Sequence, residues 1–113
     1  MTSPDTLTWP WRIEQGEIET LTIPVLDGDD AAVTVTGWTV DAAVKTGPGG
    51  PVLYTWPAEL AVAAGTTVTL TIPPAVSSAW VWRSAYYRVK VVDPGDATQV
   101  HRILQGPIVV DPD

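Results

Sequence analysis

The side chains that most often carry out chemistry are few in this sequence of 113 residues. It has no cysteine and a single histidine, His101, so thiolate catalysis, disulfides and the usual zinc sites are excluded. The serines available for a Ser-His-Asp arrangement are Ser3, Ser77, Ser78 and Ser84, and none lies in a G-x-S-x-G nucleophile elbow. His101 occupies an alternating stretch, Val100 to Leu104. We therefore expect a structural or interface histidine rather than a catalytic one.

An acidic loop, Asp27-Gly28-Asp29-Asp30, is the best candidate for a metal site, because hard cations such as Ca²⁺ prefer carboxylate oxygens. It lacks the Asp-x-Asp-x-Asp-Gly spacing and the bidentate glutamate of an EF-hand loop. A solvated β-turn is the simpler interpretation and the one we favour. The sequence thus predicts neither a metal ion nor a cofactor.

Tryptophan is the unusual feature of the composition, with six residues at positions 9, 11, 38, 56, 80 and 82. In an extended chain the pairs Trp9/Trp11 and Trp80/Trp82 each point to one side, because side chains alternate with period two. Trp38 and Trp56 lie within strand patterns and are expected in the core. Aromatic residues are enriched at the centres of interfaces. The predicted protein-interface residues are Trp9, Trp11, Arg12, Trp80, Trp82 and Tyr86.

Two alternatives stay open for these tryptophans. Trp9 and Trp11 either anchor an N-terminal arm on a neighbouring subunit or cover the chain's own fold as a first strand. In addition, exposed tryptophans stack on sugar rings, and β-sandwiches commonly host such sites. A carbohydrate-binding module is therefore the alternative function, and it predicts a flat row of exposed indoles.

The net charge of −7, from 13 acidic and 6 basic residues, argues against nucleic acid as a partner, because phosphates are repelled by such a field. No run of 18 apolar residues and no signal-peptide pattern occurs. We expect a protein that is made and used without membrane insertion.

The elements that must position these residues read as short strands joined by turns. Residues 1–12 are predicted to form an N-terminal arm or a first edge strand, and residues 13–113 a single domain. Alternation favours an all-β, antiparallel, Ig-like sandwich of about seven strands. The predicted strands are Glu17–Leu26, Trp38–Lys45, Val52–Trp56, Thr67–Ile72, Tyr86–Val92, Val100–Leu104 and Pro107–Val110, with one helical turn over Pro74–Ala79.

Several motifs taken together resemble a known family. They are Gln15-Gly16-Glu17 before a strand, Thr36-Gly37-Trp38 before a strand that ends in Lys45, "VTLTIPP", and "YYRVKVVDPGDATQVHRILQGPIVVDP", with Arg102-Ile103-Leu104-Gln105-Gly106 inside it. This order is similar to that of small virion proteins of tailed bacteriophages and of the N-terminal domain of upper baseplate proteins.

The resemblance spans roughly residues 13 to 112, and each motif is a weak strand-and-turn signature. It implies a non-enzymatic β-sandwich that is present in several copies or as a homo-oligomer and contacts other virion proteins of the tail, baseplate or capsid. It also implies a location in the virion after synthesis in the bacterial cytoplasm.

Overall fold

The computed structural model describes residues 6–112, apart from the side chains of Ala97 and Gln99. Ser3 and the first five residues of the predicted arm lie outside the described residues. Nine strands are described where about seven were predicted, with one short helix and a 3-10 turn. They are β1 Leu7–Thr8, β2 Trp11–Glu14, β3 Glu19–Pro24, β4 Thr39–Lys45, β5 Val52–Thr55, β6 Ala61–Ala64, β7 Thr67–Ile72, α1 Pro74–Ser78, β8 Ser84–Asp93 and β9 Asp96–Asp111, with the 3-10 turn at Ala58–Leu60.

The strands form two sheets, which confirms the all-β class. The larger sheet has the order β1-β9-β8-β4-β5, with β2 also paired to β9, and the smaller has the order β3-β7-β6. One hydrophobic core contains side chains from both sheets, for example Val44 and Val89 from the larger and Val68 and Leu70 from the smaller. The two sheets therefore stabilise each other through a shared apolar layer.

The pairing is antiparallel except along one edge of the larger sheet. There β1 and β2 run parallel to β9, with Leu7 opposite Leu104 and Trp11 opposite Ile108. A purely antiparallel fold was therefore the wrong expectation. Of the two interpretations of residues 1–12, the described part forms an edge strand of the chain's own sheet.

Strand β7 matches its predicted bounds, because strict alternation left little ambiguity. Val68, Leu70 and Ile72 are fully buried, and the threonines between them lie on the opposite face. Pro73 and Pro74 end the strand and start α1, since proline cannot donate to a ladder but suits the first turn of a helix.

Two departures from the predicted elements have local causes. The predicted strands Val100–Leu104 and Pro107–Val110 are parts of the single 16-residue β9, which continues through Gly106 and Pro107. Strand β6 was not predicted because Ala61-Val62-Ala63-Ala64 has no alternation of large apolar and polar side chains. None of the described helices is long and apolar enough to cross a bilayer.

Candidate functional site

An apolar groove of about 370 Å³ lies between one edge of each sheet, where β1 and β3 face each other with no other described strand between them. Ile23 and Leu104 form its buried floor, and Trp9, with 53% of its surface exposed, stands at its rim. The lining residues are Leu7, Thr8, Trp9, Leu21, Thr22, Ile23, Pro24 and Leu104. Among residues 6–112, no charged side chain lines this groove.

The backbone of β3 presents groups along the groove that have no hydrogen-bond partner among residues 6–112. Val25 N–H donates to the carbonyl of Thr66 at 2.9 Å, which places Pro24 opposite Thr67 at a position without ladder bonds. Because antiparallel ladders alternate, the N–H and C=O groups of Thr20 and Thr22 point away from β7 to the free edge. Pro24 fits at this edge, since its missing N–H would face outward.

The opposite rim is a bend in the edge strand of the larger sheet. Trp9 and Pro10 separate β1 from β2, and Trp9 N–H still donates to the carbonyl of Gln105 at 3.0 Å. In a regular parallel ladder the next bond would run from the N–H of residue 107 to the Trp9 carbonyl. Residue 107 is proline and has no N–H to donate.

The hydroxyl of Tyr87 supplies the missing donor. It donates to the Trp9 carbonyl oxygen at 2.6 Å, and its ring is fully buried and packs edge-on against Trp11 with centroids 5.6 Å apart. Burial raises the pKa of Tyr87 above its usual range, because desolvation disfavours the phenolate. The core therefore fixes the position of Trp9 through a neutral tyrosine.

Gly106 allows the bend to approach β9 closely. A Cβ at this position would lie 3.0 Å from the carbonyl carbon of Trp9 and closer still to its oxygen. Both atoms are backbone, so the contact cannot be relieved by a side-chain rotation. Glycine is thus required here because the bend at Trp9 and strand β9 lie in close backbone contact.

The tryptophans mostly pack inside the fold. A continuous aromatic chain runs Trp82, Trp80, Tyr54, Trp56, Trp11, Tyr87, with successive centroids 4.7 to 6.0 Å apart. Trp56, the residue directly after β5, also donates its Nε1 hydrogen to the Thr71 carbonyl at 3.1 Å and so joins the end of β5 to β7 of the other sheet. These indoles therefore hold the two sheets together.

This arrangement corrects the predicted aromatic patch. Trp11 and Trp80 are 6% and 8% exposed, so neither offers a free surface, and Trp82 is half-buried against Trp80. The same-face rule failed for Trp9 and Trp11 because the bend at Pro10 interrupts the strand between them. Of the six tryptophans, all within the described residues, Trp9 is the one whose side chain is exposed.

The remaining predicted interface residues lie in other surroundings. Arg12 is exposed on β2 and pairs with Asp111 at 2.8 Å. Tyr86, half-buried, donates its hydroxyl hydrogen to Gln105 Oε1 at 2.8 Å on the face opposite Tyr87. They do not join the groove lining.

The serine and histidine candidates for catalysis are not brought together. Ser77 is buried, accepts from Gly16 N–H at 3.0 Å and donates to the Pro74 carbonyl at 3.3 Å. His101 lies beside Trp38, and its buried Nε2 has no hydrogen-bond partner in the described part of the chain. Among the described residues, therefore, no serine hydroxyl is bonded to His101 Nε2.

The acidic loop is a turn held by its first carboxylate. Asp27 Oδ1 accepts hydrogen bonds from the N–H groups of Asp29 and Ala31, at 2.7 and 3.1 Å, as in an Asx turn. Within residues 6–112 no group of three or more acidic or histidine side chains is placed to hold a metal ion.

The motifs behind the phage resemblance act as connectors in the fold. Gln15 Nε2 donates to the carbonyls of Ser77 and Trp80, at 2.8 and 2.9 Å, and so ties the turn after β2 to the end of α1. Gly37 has a φ of 82° in the turn before β4, a backbone conformation that favours glycine. These residues define a scaffold and supply no reacting group.

No protein-family model and no curated protein matches this chain.

Sequence reasoning found Trp9 but missed the rest of the groove. Leu7, Leu21 and Pro24 meet only because β1 pairs in parallel with β9 and β3 lies at the edge of the other sheet. The one local signal was Pro24 in a strand pattern, which correctly placed β3 at an edge.

Proposed function

We propose that this chain is a non-enzymatic structural protein of a tailed-bacteriophage virion. In this proposal it is an Ig-like β-sandwich, present in several copies, that attaches to the tail or baseplate or decorates the capsid. The motif order along residues 13 to 112 supports the assignment. The local roles of Gln15 and Gly37 support it further, because the motifs serve folding rather than chemistry.

The observation that carries the proposal is the apolar groove between β1 and β3. Unpaired strand edges are usually shortened, charged or covered in soluble proteins. Here β2 is partly covered, because Glu19 Oε1 accepts from Glu14 N–H at 3.1 Å, whereas the described part of the chain leaves the groove beside it apolar and open. Exposed apolar surface marks protein–protein interfaces as well as ligand-binding grooves, and burial on assembly is the use that the proposed function requires.

Trp9 gives the scale of the docking energy. A fully buried indole removes about 150–250 Å² from water, and 53% of Trp9 is still exposed. Covering the remaining surface, about 100 Å², corresponds to about 2.5 kcal/mol as an upper value. Trp9 is therefore large enough to be one of the few residues that dominate an interface.

The proposal is tested on particles of the phage that encodes the chain. An antibody against the protein should label virions in negative-stain electron microscopy. Trp9→Ala, expressed in place of the wild type, should lower incorporation into particles by about ten-fold, the ratio given by about 1.4 kcal/mol. Val81→Ala is the control, because Val81 is 90% exposed and lies outside the groove. Unlabelled virions would refute the proposed function.

Carbohydrate binding is the weaker candidate. It requires a row of exposed indoles. Trp9 is the one exposed tryptophan of the six, whereas Trp38 and Trp82 are half-buried. Quenching of tryptophan fluorescence by a polysaccharide, lost in Trp9→Ala, would favour this function over assembly.

A further inference from the structure

We propose that the groove between β1 and β3 binds an extended segment of a partner virion protein, which adds to the free edge of β3 as an antiparallel strand and carries basic residues at both ends. This inference rests on the proposed function and names the kind of partner that the groove would take.

The polar groups available at the groove determine its occupant. The lining side chains are apolar or threonine, so directional bonds must come from the outward N–H and C=O groups of Thr20 and Thr22. No hydrogen bond from either amide to a group outside the β3–β7 pairing is present among the described residues. A row of alternating backbone donors and acceptors is matched by another extended backbone, whereas a small ligand would need convergent polar groups.

The apolar floor specifies the side chains of that segment. A strand paired with β3 would turn every second side chain to one face. On that face lie Ile23, Leu104 and the indole of Trp9. The bound segment should therefore have apolar residues at alternating positions over the length of β3, which has six residues.

Charge decides between a foreign segment and a second copy. Glu17 precedes β3 and Glu19 is its first residue, and Asp29 and Asp30 follow in the turn after it. Antiparallel pairing of two β3 edges would bring the acidic start of one against the acidic turn of the other, which is unfavourable. A segment with lysine or arginine at each end meets opposite charge at both.

The experiment uses the full chain and a labelled synthetic peptide of about nine residues, with a valine–threonine core that alternates over the length of a strand and two lysines at each end. A matched peptide has aspartates in place of the lysines. Fluorescence anisotropy should show that the basic peptide binds at least about ten-fold more tightly, and that about 0.5 M salt removes most of this difference.

The decisive variant is Thr22→Pro, which removes one outward N–H without removing a bond to β7. Thr22→Pro should lower the affinity for the basic peptide by about ten-fold or more, whereas Thr22→Ala, which keeps the N–H, should change this affinity by less than about three-fold. If Thr22→Pro fails to fold by circular dichroism, Trp9→Ala takes its place, with Val81→Ala as control and the same expected ratio.

Equal binding by Thr22→Pro and Thr22→Ala, or no binding of either peptide, would overturn the strand proposal. So would a dimer in sedimentation equilibrium that is lost in Trp9→Ala, because the occupant would then be a second copy. None of these three results bears on the proposed function, which depends on antibody labelling of virions.

Discussion

Removing the Tyr87 hydroxyl by Tyr87→Phe tests how the core holds the groove. The change keeps the ring against Trp11 and deletes one bond, from the hydroxyl to the Trp9 carbonyl at 2.6 Å. Pro107 cannot replace the donor, so the carbonyl must turn to water or stay unpaired. The free energy of unfolding should fall by about 1 to 2 kcal/mol, the loss of one hydrogen bond with partial desolvation of the acceptor.

The assay is urea unfolding followed by tryptophan fluorescence, with thermal unfolding as a second measurement. A loss of about 1 kcal/mol lowers the melting temperature of a chain of this size by about 4–6 °C. Tyr86→Phe, at the position directly before Tyr87, is the matched control. Its hydroxyl donates to the side chain of Gln105, which Arg102 also contacts, and a half-buried site admits water. The control should lose less than about 0.5 kcal/mol.

Equal losses in Tyr87→Phe and Tyr86→Phe would refute this reasoning, because the two changes delete the same chemical group. The expected difference depends only on the acceptor and its surroundings. Tyr87→Phe should also speed amide hydrogen exchange at Trp9, because the hydrogen bond from the Trp9 N–H to the Gln105 carbonyl lies beside the lost contact.

Three further predictions follow from the same region and its supports. Gly106→Ala should cost about 2 kcal/mol or more, because its Cβ meets the Trp9 backbone, and Gly47→Ala, with open space around it, should cost far less by urea unfolding. The contribution of Tyr87 to stability should be fully present below the ordinary tyrosine pKa and be lost above about pH 10, because burial raises the pKa of Tyr87 and keeps it protonated in the folded state after the unfolded chain has ionised. The urea midpoint should fall less between about pH 9 and pH 11 in Tyr87→Phe than in the wild type. An equal fall in both would show that Tyr87 does not cause this pH dependence. Gln15→Ala should lose about 1 to 2 kcal/mol, since it frees the carbonyls of Ser77 and Trp80; a loss no larger than that of Gly47→Ala would show that Gln15 does not tie α1 in place.

The elements that could be predicted from the sequence are those with strong local patterns. Strict alternation defined β7, the "DPGDAT" turn joined β8 to β9, and the two prolines after Ile72 marked the start of α1. Each of these signals lies within a few residues of the element that it specifies.

The edge pairing could not be predicted, because Leu7 and Leu104 are far apart in sequence and parallel pairing leaves no turn between the partners. The expected patch of tryptophans failed for a related reason. Period two holds only while the strand is continuous, and the bend at Trp9 and Pro10 turns one indole out and the next in. The groove is the product of these two non-local features.

Hydrogen exchange on assembled virions tests the central claim most directly. The amides of Thr20 and Thr22, which are outward in the free protein, should exchange quickly there and become protected in the particle, together with the peptide that contains Trp9. The segment around Val81 serves as the internal reference and should be unchanged. Equal exchange of Thr20 and Thr22 in the free and assembled protein would contradict the claim that the groove between β1 and β3 is where this protein docks.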